Sequence, residues 1–143
     1  MRKIWIFGII FLLAIVFFLY TYKEENVVKI SFPQKTSYWV EIADTAQKAE
    51  IGLMYRENMP RNHGMLFIFP TSHIVKMWMK NTYIPLDMIF FNAQNQVICL
   101  HENARPLDET TITCPYPAKM VLELNAGEIK DKNIQLNDTL LMK

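Results

Sequence analysis

Asp87-Met-Ile-Phe-Phe91, Asn92-Ala-Gln-Asn-Gln96 and Val97-Ile-Cys-Leu-His101 follow one another without a break. Two short apolar runs, rich in β-branched and aromatic residues, flank a polar spacer. Each is too short for a stable helix, so the stretch predicts a β-hairpin turning at Asn92 to Gln96. Runs of the same kind lie on both sides. Upstream, Val27 to Phe32 and Tyr38 to Ile42 alternate in part, separated by the turn-prone Pro33-Gln-Lys. Met65-Leu-Phe-Ile-Phe69 is wholly apolar, ends at Pro70 and suits a central strand, and Ile74 to Met79 predicts another. Downstream, Lys119 to Leu124 predicts a strand, Asn125-Ala-Gly127 a turn, Glu128 to Lys132 a further short turn, and Thr139 to Met142 a closing strand. Asn103 to Pro117 has prolines at 106, 115 and 117 and no period, which predicts a long loop. Only one segment changes to a helical period. There Asp44 is the expected N-cap with Gln47 as its capping-box partner, and Ala46, Ala49 and Leu53 share one face of a helix of about ten residues. Gly52 inside that segment signals a close backbone contact or the helix end. The expected fold class is α+β: a largely antiparallel, curled or barrel-like β-sheet with one clear helix, preceded by a single N-terminal transmembrane helix.

That transmembrane expectation rests on residues 1–22. Ile4 to Tyr20 carries no charge and no proline, and its seventeen residues span about 25 Å as a helix against a bilayer core of about 30 Å. Trp5, Tyr20 and Tyr22 suit the interfaces. A cleaved signal peptide would need small residues before the cut, and Phe18 to Lys23 offers no such pair; a lipoprotein signal would need a cysteine there. A signal anchor is therefore expected. Arg2 and Lys3 precede it and Lys23-Glu-Glu25 follow, so the N-terminus should stay inside and the rest outside. The expected organisation is an anchor at 1–22, a stalk at 23–27 and an exported domain at 28–143, placed at the inner membrane facing the periplasm or the cell exterior. An oxidising exterior would let Cys99 and Cys114, the two cysteines of the chain, form a disulfide. With 15 basic and 14 acidic residues, the chain lacks the cationic excess of a nucleic-acid binder.

Five motifs occur in order: Gly52-Leu-Met-Tyr-Arg56, Gly64-Met-Leu-Phe-Ile-Phe69, Met77-Trp-Met-Lys-Asn-Thr82, Ile84-Pro-Leu-Asp-Met-Ile-Phe90 and Val121-Leu-Glu-Leu-Asn-Ala-Gly127. Together they resemble the family of domain of unknown function 192 of bacteria and archaea, over about Val28 to Met142. The resemblance implies no particular activity or substrate; an N-terminal export signal or anchor is common among its members. The turn Ala93-Gln-Asn-Gln96 departs from the acidic–glycine pair that many relatives carry.

Among residues that could carry chemistry, alternation puts Met77 and Met79 on one face and Trp78 and Lys80 on the other. Trp78, Lys80, Asn81 and Asp87, with Arg56 as a further member, form the candidate ligand-binding set, a polar pocket with an aromatic wall. Alternatively Lys80 and Asp87 pair with each other while Asn81 and Thr82 satisfy the turn before Pro85. The Arg56 fork suits a carboxylate from the protein or from a ligand. Glu123, on an apolar strand, would need a partner if it points inward, with Lys119 or Arg56 available. His63, His73 and His101 lack metal-ligand spacing, and no P-loop, dinucleotide fingerprint or nucleophile elbow is present, so no metal or cofactor is expected. The expected function is a membrane-tethered envelope binding or interaction module. The alternative is an envelope enzyme, a hydrolase with Asp87 or Glu102 as general base and Lys80 or Arg56 stabilising an anion.

Overall fold

Alternation along the central strands organises the molecule. In the computed structural model, which describes residues 27–142, successive side chains of each central strand enter two different apolar clusters. Met65 and Phe67, Met88 and Phe90, and Val121 point to one cluster; Leu66, Ile89 and Phe91, and Met120, Leu122 and Leu124 point to the other. A sheet buried on both faces needs wholly apolar strands, which is why Met65–Phe69 shows no alternation in its sequence.

The strands are β1 (Val27–Phe32), β2 (Thr36–Ala43), β3 (His63–His73), β4 (Lys76–Met77), β5 (Leu86–Phe91), β6 (Val97–Ala104), β7 (Ile112–Thr113), β8 (Ala118–Asn125) and β9 (Leu141–Met142). Seven of them form one sheet in the order β6-β5-β8-β3-β2-β1-β9, and β4 with β7 makes a small separate ladder. The sheet curls into a half-barrel. Its two sides are joined at one end, where Gln96 bridges to Thr139 and the Leu140 N–H donates to the Asn95 carbonyl at 2.9 Å. Every pairing is antiparallel except that of β2 with β3. Between those two runs the helix α1 (Ala46–Ile51), and a second short helix, α2 (Glu128–Asp131), follows β8.

The hairpin of β5 and β6 forms as expected. Its turn uses Asn92 in place of glycine chemistry: the Asn92 side chain accepts from the N–H groups of Gln94 and Gln96, both at 2.9 Å, and Asn95 takes the left-handed conformation (φ 61°). Other expectations need correction. The helix cap is Thr45, whose hydroxyl accepts from the Lys48 N–H, while Asp44 pairs with the Lys48 ammonium at 3.0 Å. The helix has six residues, ending at Gly52 (φ 49°), and Leu53 is buried beyond its end. Pro70 does not stop β3; the strand continues to His73 through a register shift, the device that accommodates a residue without an N–H. Of Ile74 to Met79 only Lys76–Met77 is strand. The expected loop at 103–117 contains the end of β6 and all of β7, and Glu128–Asp131 is a helical turn. The closing strand is two residues long. The anchor and most of the stalk lie outside the described residues; among those described, no helix is long and apolar enough to cross a membrane.

Candidate functional site

The C-terminal end of α1 leans over the face of the sheet that carries Met65, Phe67 and Val121. Gly52 permits this approach. Its backbone turns with φ 49°, and a Cβ there would meet the Phe67 ring at 3.2 Å. Between this helix end and the segment from β4 to Thr82 lies a cavity of about 110 Å³. Leu53, Phe67 and Met77 give it apolar walls, Trp78, Lys76 and Lys80 stand at its mouth, and Glu123 forms its floor.

Glu123 shares its face of β8 with Val121 and sits between Met65 of β3 and Met88 of β5. It is 4% exposed. Among the described residues it receives no hydrogen bond, and no fully enclosed side-chain oxygen lacks a partner; the carboxyl oxygens therefore open onto the cavity. Burial pushes this carboxyl up to about 8, against a smaller downward pull from the Arg56 charge. At neutral pH it keeps its proton, so it can both donate and accept a hydrogen bond. Lys119, the other partner considered for it, instead donates to the Pro70 carbonyl at 2.8 Å.

Arg56 is committed nearby. Its guanidinium makes a fork of 2.5 and 2.7 Å to the two oxygens of Glu41 on β2, which holds the Glu41 carboxyl below its ordinary range. The protein itself thus supplies the carboxylate that this arginine pins. Asn81 locks the loop after α1 to the loop after β4: its carbonyl accepts from the Tyr55 N–H at 2.8 Å, and its side-chain amide donates to the Tyr55 hydroxyl at 2.9 Å. Tyr55 adopts φ 63°, unusual for a bulky side chain and costing roughly 1–3 kcal/mol. Its exposed ring meets Tyr83 edge-on with centroids 6.2 Å apart. Trp78 is half exposed, and the Lys80 ammonium lies 5.8 Å from its ring centroid. Lys76 and Lys80 form no ion pair among the described residues.

The structure therefore brings Trp78 and Lys80 to one cavity, with Asn81 and Arg56 buttressing its walls. Asp87 does not border it. On β5 it falls on the same side as Ile89 and Phe91, the opposite face from Glu123. It is fully buried, and its carboxylate accepts from the backbone N–H groups of Asn103 and Ile129, each at 2.9 Å. The expected alternative, a Lys80–Asp87 pair, is likewise not made. Asp87 instead steadies the β6 bulge opposite it and caps α2, whose own first position is the side-chain-free Gly127. Glu102 is exposed in a separate, wider hollow with His101, Arg105 and Asp108. Glu123 is the member absent from the expected set. Its signal was a single charge at an inward-facing position of Val121-Leu-Glu-Leu124. Cys99 of β6 and Cys114 after β7 are joined by a disulfide, with Cα atoms 5.9 Å apart.

A family model described as "Uncharacterized ACR", domain of unknown function 192, matches residues 26–142. Among solved structures, the chain is similar to a protein of Sinorhizobium meliloti 1021 described as a "putative transcription regulator". The two are 41% identical, with a TM-score of 0.77 over 81% of this chain and 92% of that one. It is also similar to a protein of unknown function from Novosphingobium aromaticivorans DSM 12444, at 31% identity and a TM-score of 0.74 over 80% of this chain and 83% of that one. No curated protein matches the chain.

Proposed function

The chain belongs to the family of domain of unknown function 192, and from that premise we propose that it is a membrane-tethered binding module of the cell envelope whose ligand enters the cavity beneath Gly52. One observation carries the reading: a buried carboxyl that has no hydrogen-bond partner among the described residues opens into a concave site with apolar walls and a polar mouth. Strain stored at Tyr55 beside the cavity supports it, because residues held in sparse backbone regions cluster at binding sites. The envelope location is supported by the uncharged run Ile4 to Tyr20 behind Arg2 and Lys3 and by the disulfide. A balanced charge speaks against a nucleic-acid partner.

A second reading, an envelope hydrolase, draws on the protonated state of the floor carboxyl, which suits a proton donor near neutral pH. In that reading the role belongs to Glu123; the oxygens of Asp87 are both engaged by the backbone. The test is a fragment mixture of small organic acids, amines and amides added to the full chain and read by NMR. Shifts should cluster at Met54, Trp78, Lys80 and Glu123. Perturbation confined to other surfaces, or none at all, would remove the cavity as the binding site.

A further inference from the structure

Charge and proton inventory around the cavity narrow what it can hold. The groups facing Glu123 come from every wall. From α1 comes the exposed Glu50; from β4, Lys76; from the segment after it, Lys80. Arg56 stands behind, already held by Glu41 of β2; β3 and β5 place Met65 and Met88 beside Glu123, and β3 adds Phe67 to the wall, so among the described residues neither strand brings a charge. With the floor carboxyl neutral, the described residues at the mouth carry two ammonium groups against one carboxylate. An arriving cation would meet Lys76 and Lys80 first and then lose its hydration against Leu53, Phe67 and Met77. An anion meets opposite charge at the entrance and a hydrogen-bond donor at the floor.

Resting on the binding reading above, we propose that the cavity takes a small organic carboxylate, one oxygen meeting the Glu123 carboxyl and the other facing the Lys76 and Lys80 ammonium groups. No covalent step is involved. The Glu123 proton stays where it is and is shared in a short hydrogen bond between two carboxyl groups, one neutral and one ionised. A cavity of about 110 Å³ has room for a few water molecules, hence for an acid of roughly two to four carbons or the end of a longer one. The stem of a longer ligand would leave across the half-exposed Trp78 ring. A free short-chain acid and the terminal carboxylate of a peptide present this same chemistry.

The experiment titrates the full chain in phospholipid nanodiscs with butyrate, N-acetyl-alanyl-alanine, butyramide and butylamine at pH 7 and pH 9, at fixed ionic strength. The Trp78 indole N–H and the Glu123 carboxyl carbon are followed by NMR. One or both carboxylates should bind at least tenfold more tightly than butyramide, and their relative strength separates a free acid from a peptide terminus. With the floor carboxyl titrating at about 8, affinity should fall about tenfold between pH 7 and pH 9 as the donor is lost. Bound carboxylate should move the Glu123 titration upward. Glu123→Gln keeps a neutral donor and should bind with a flat pH profile, and Lys80→Met should weaken binding several-fold. If the glutamine variant fails to fold, the wild-type Glu123 titration and Lys80→Met decide. Preferential binding of butylamine or butyramide, or a Glu123 titration that moves downward with ligand, overturns the carboxylate class and leaves the binding site standing. If none of the four compounds moves the cavity resonances, the binding site falls and the carboxylate proposal falls with it.

Discussion

Glu123 makes folding sensitive to base, the reverse of most paired carboxylates. Its folded value, about 8, lies above the ordinary 4.5. Between these two the folded chain binds more protons than the unfolded one, so the contribution is fullest below pH 4.5, declines as pH rises, and levels off above about 8. At about 1.4 kcal/mol per unit, the loss across that window is on the order of 5 kcal/mol. Urea denaturation should therefore show Glu123→Gln gaining on the wild type from pH 5 to pH 9; parallel curves would mean that the buried acid is not the cause. Glu41 has the opposite sign. The Arg56 fork lowers its value, so its stabilisation is present at neutral pH and fades in acid. Asp87 and Lys80, close in sequence, are decoupled in space. Asp87→Ala leaves two backbone N–H groups without their acceptor and should cost roughly 2–5 kcal/mol. Lys80→Ala should change stability by less than about 0.5 kcal/mol, and the double variant should be additive. Strong coupling in thermal melts would restore the pair. The side of the strand on which Asp87 falls was readable from its neighbours Ile89 and Phe91. Its backbone partners at positions 103 and 129 were not, because both arise from a bulge and a helix start that side-chain patterning does not reveal.

Elements built from strong local signals are those the sequence locates best. The β5–β6 hairpin and the apolar part of β3 stand where the pattern puts them. The misplacements occur where a tertiary contact overrides a local rule. Pro70 is carried inside β3 by a register shift, and α1 stops at Gly52, whose φ of 49° and closeness to the Phe67 ring leave no room for a side chain. The β4–β7 ladder is too short for any period to show. Its attachment to the main sheet includes the Cys99–Cys114 bridge, and β4 places Lys76 and Met77 on the cavity. Closing a loop of about 15 residues stabilises by about 3 kcal/mol. Replacing both cysteines by serine should remove about that much, and hydrogen exchange should accelerate at Lys76 to Trp78 before it does in β8. Uniform acceleration would show that the bridge acts on the whole fold and not on this ladder.

For the whole molecule, antiparallel pairing and curl were legible from short strands and local turns. The one parallel pairing among the described residues, β2 with β3, was not, since residue patterning carries no information on which strands become neighbours. The exported topology is a proposal with its own check. Mass spectrometry of the protein taken from membranes should find the N-terminal segment attached; a mature terminus between about residues 15 and 30 would remove the anchor.

The seam that joins the two sides of the half-barrel also sets an order of events. β9 completes the ladder on β1, and Asn137, Asp138 and Leu140 supply the hydrogen bonds that cover the strand edge at Asn95 and Val97. In a chain made from its N-terminus forward, β1 through β8 precede these covering residues. Until they arrive, two strand edges stand open to other chains. If the domain crosses a membrane during synthesis, its sheet can be sealed only on the far side. The transport machinery then handles a chain whose sheet is not yet sealed, and one stalled before Asn137 should be a target for holding chaperones.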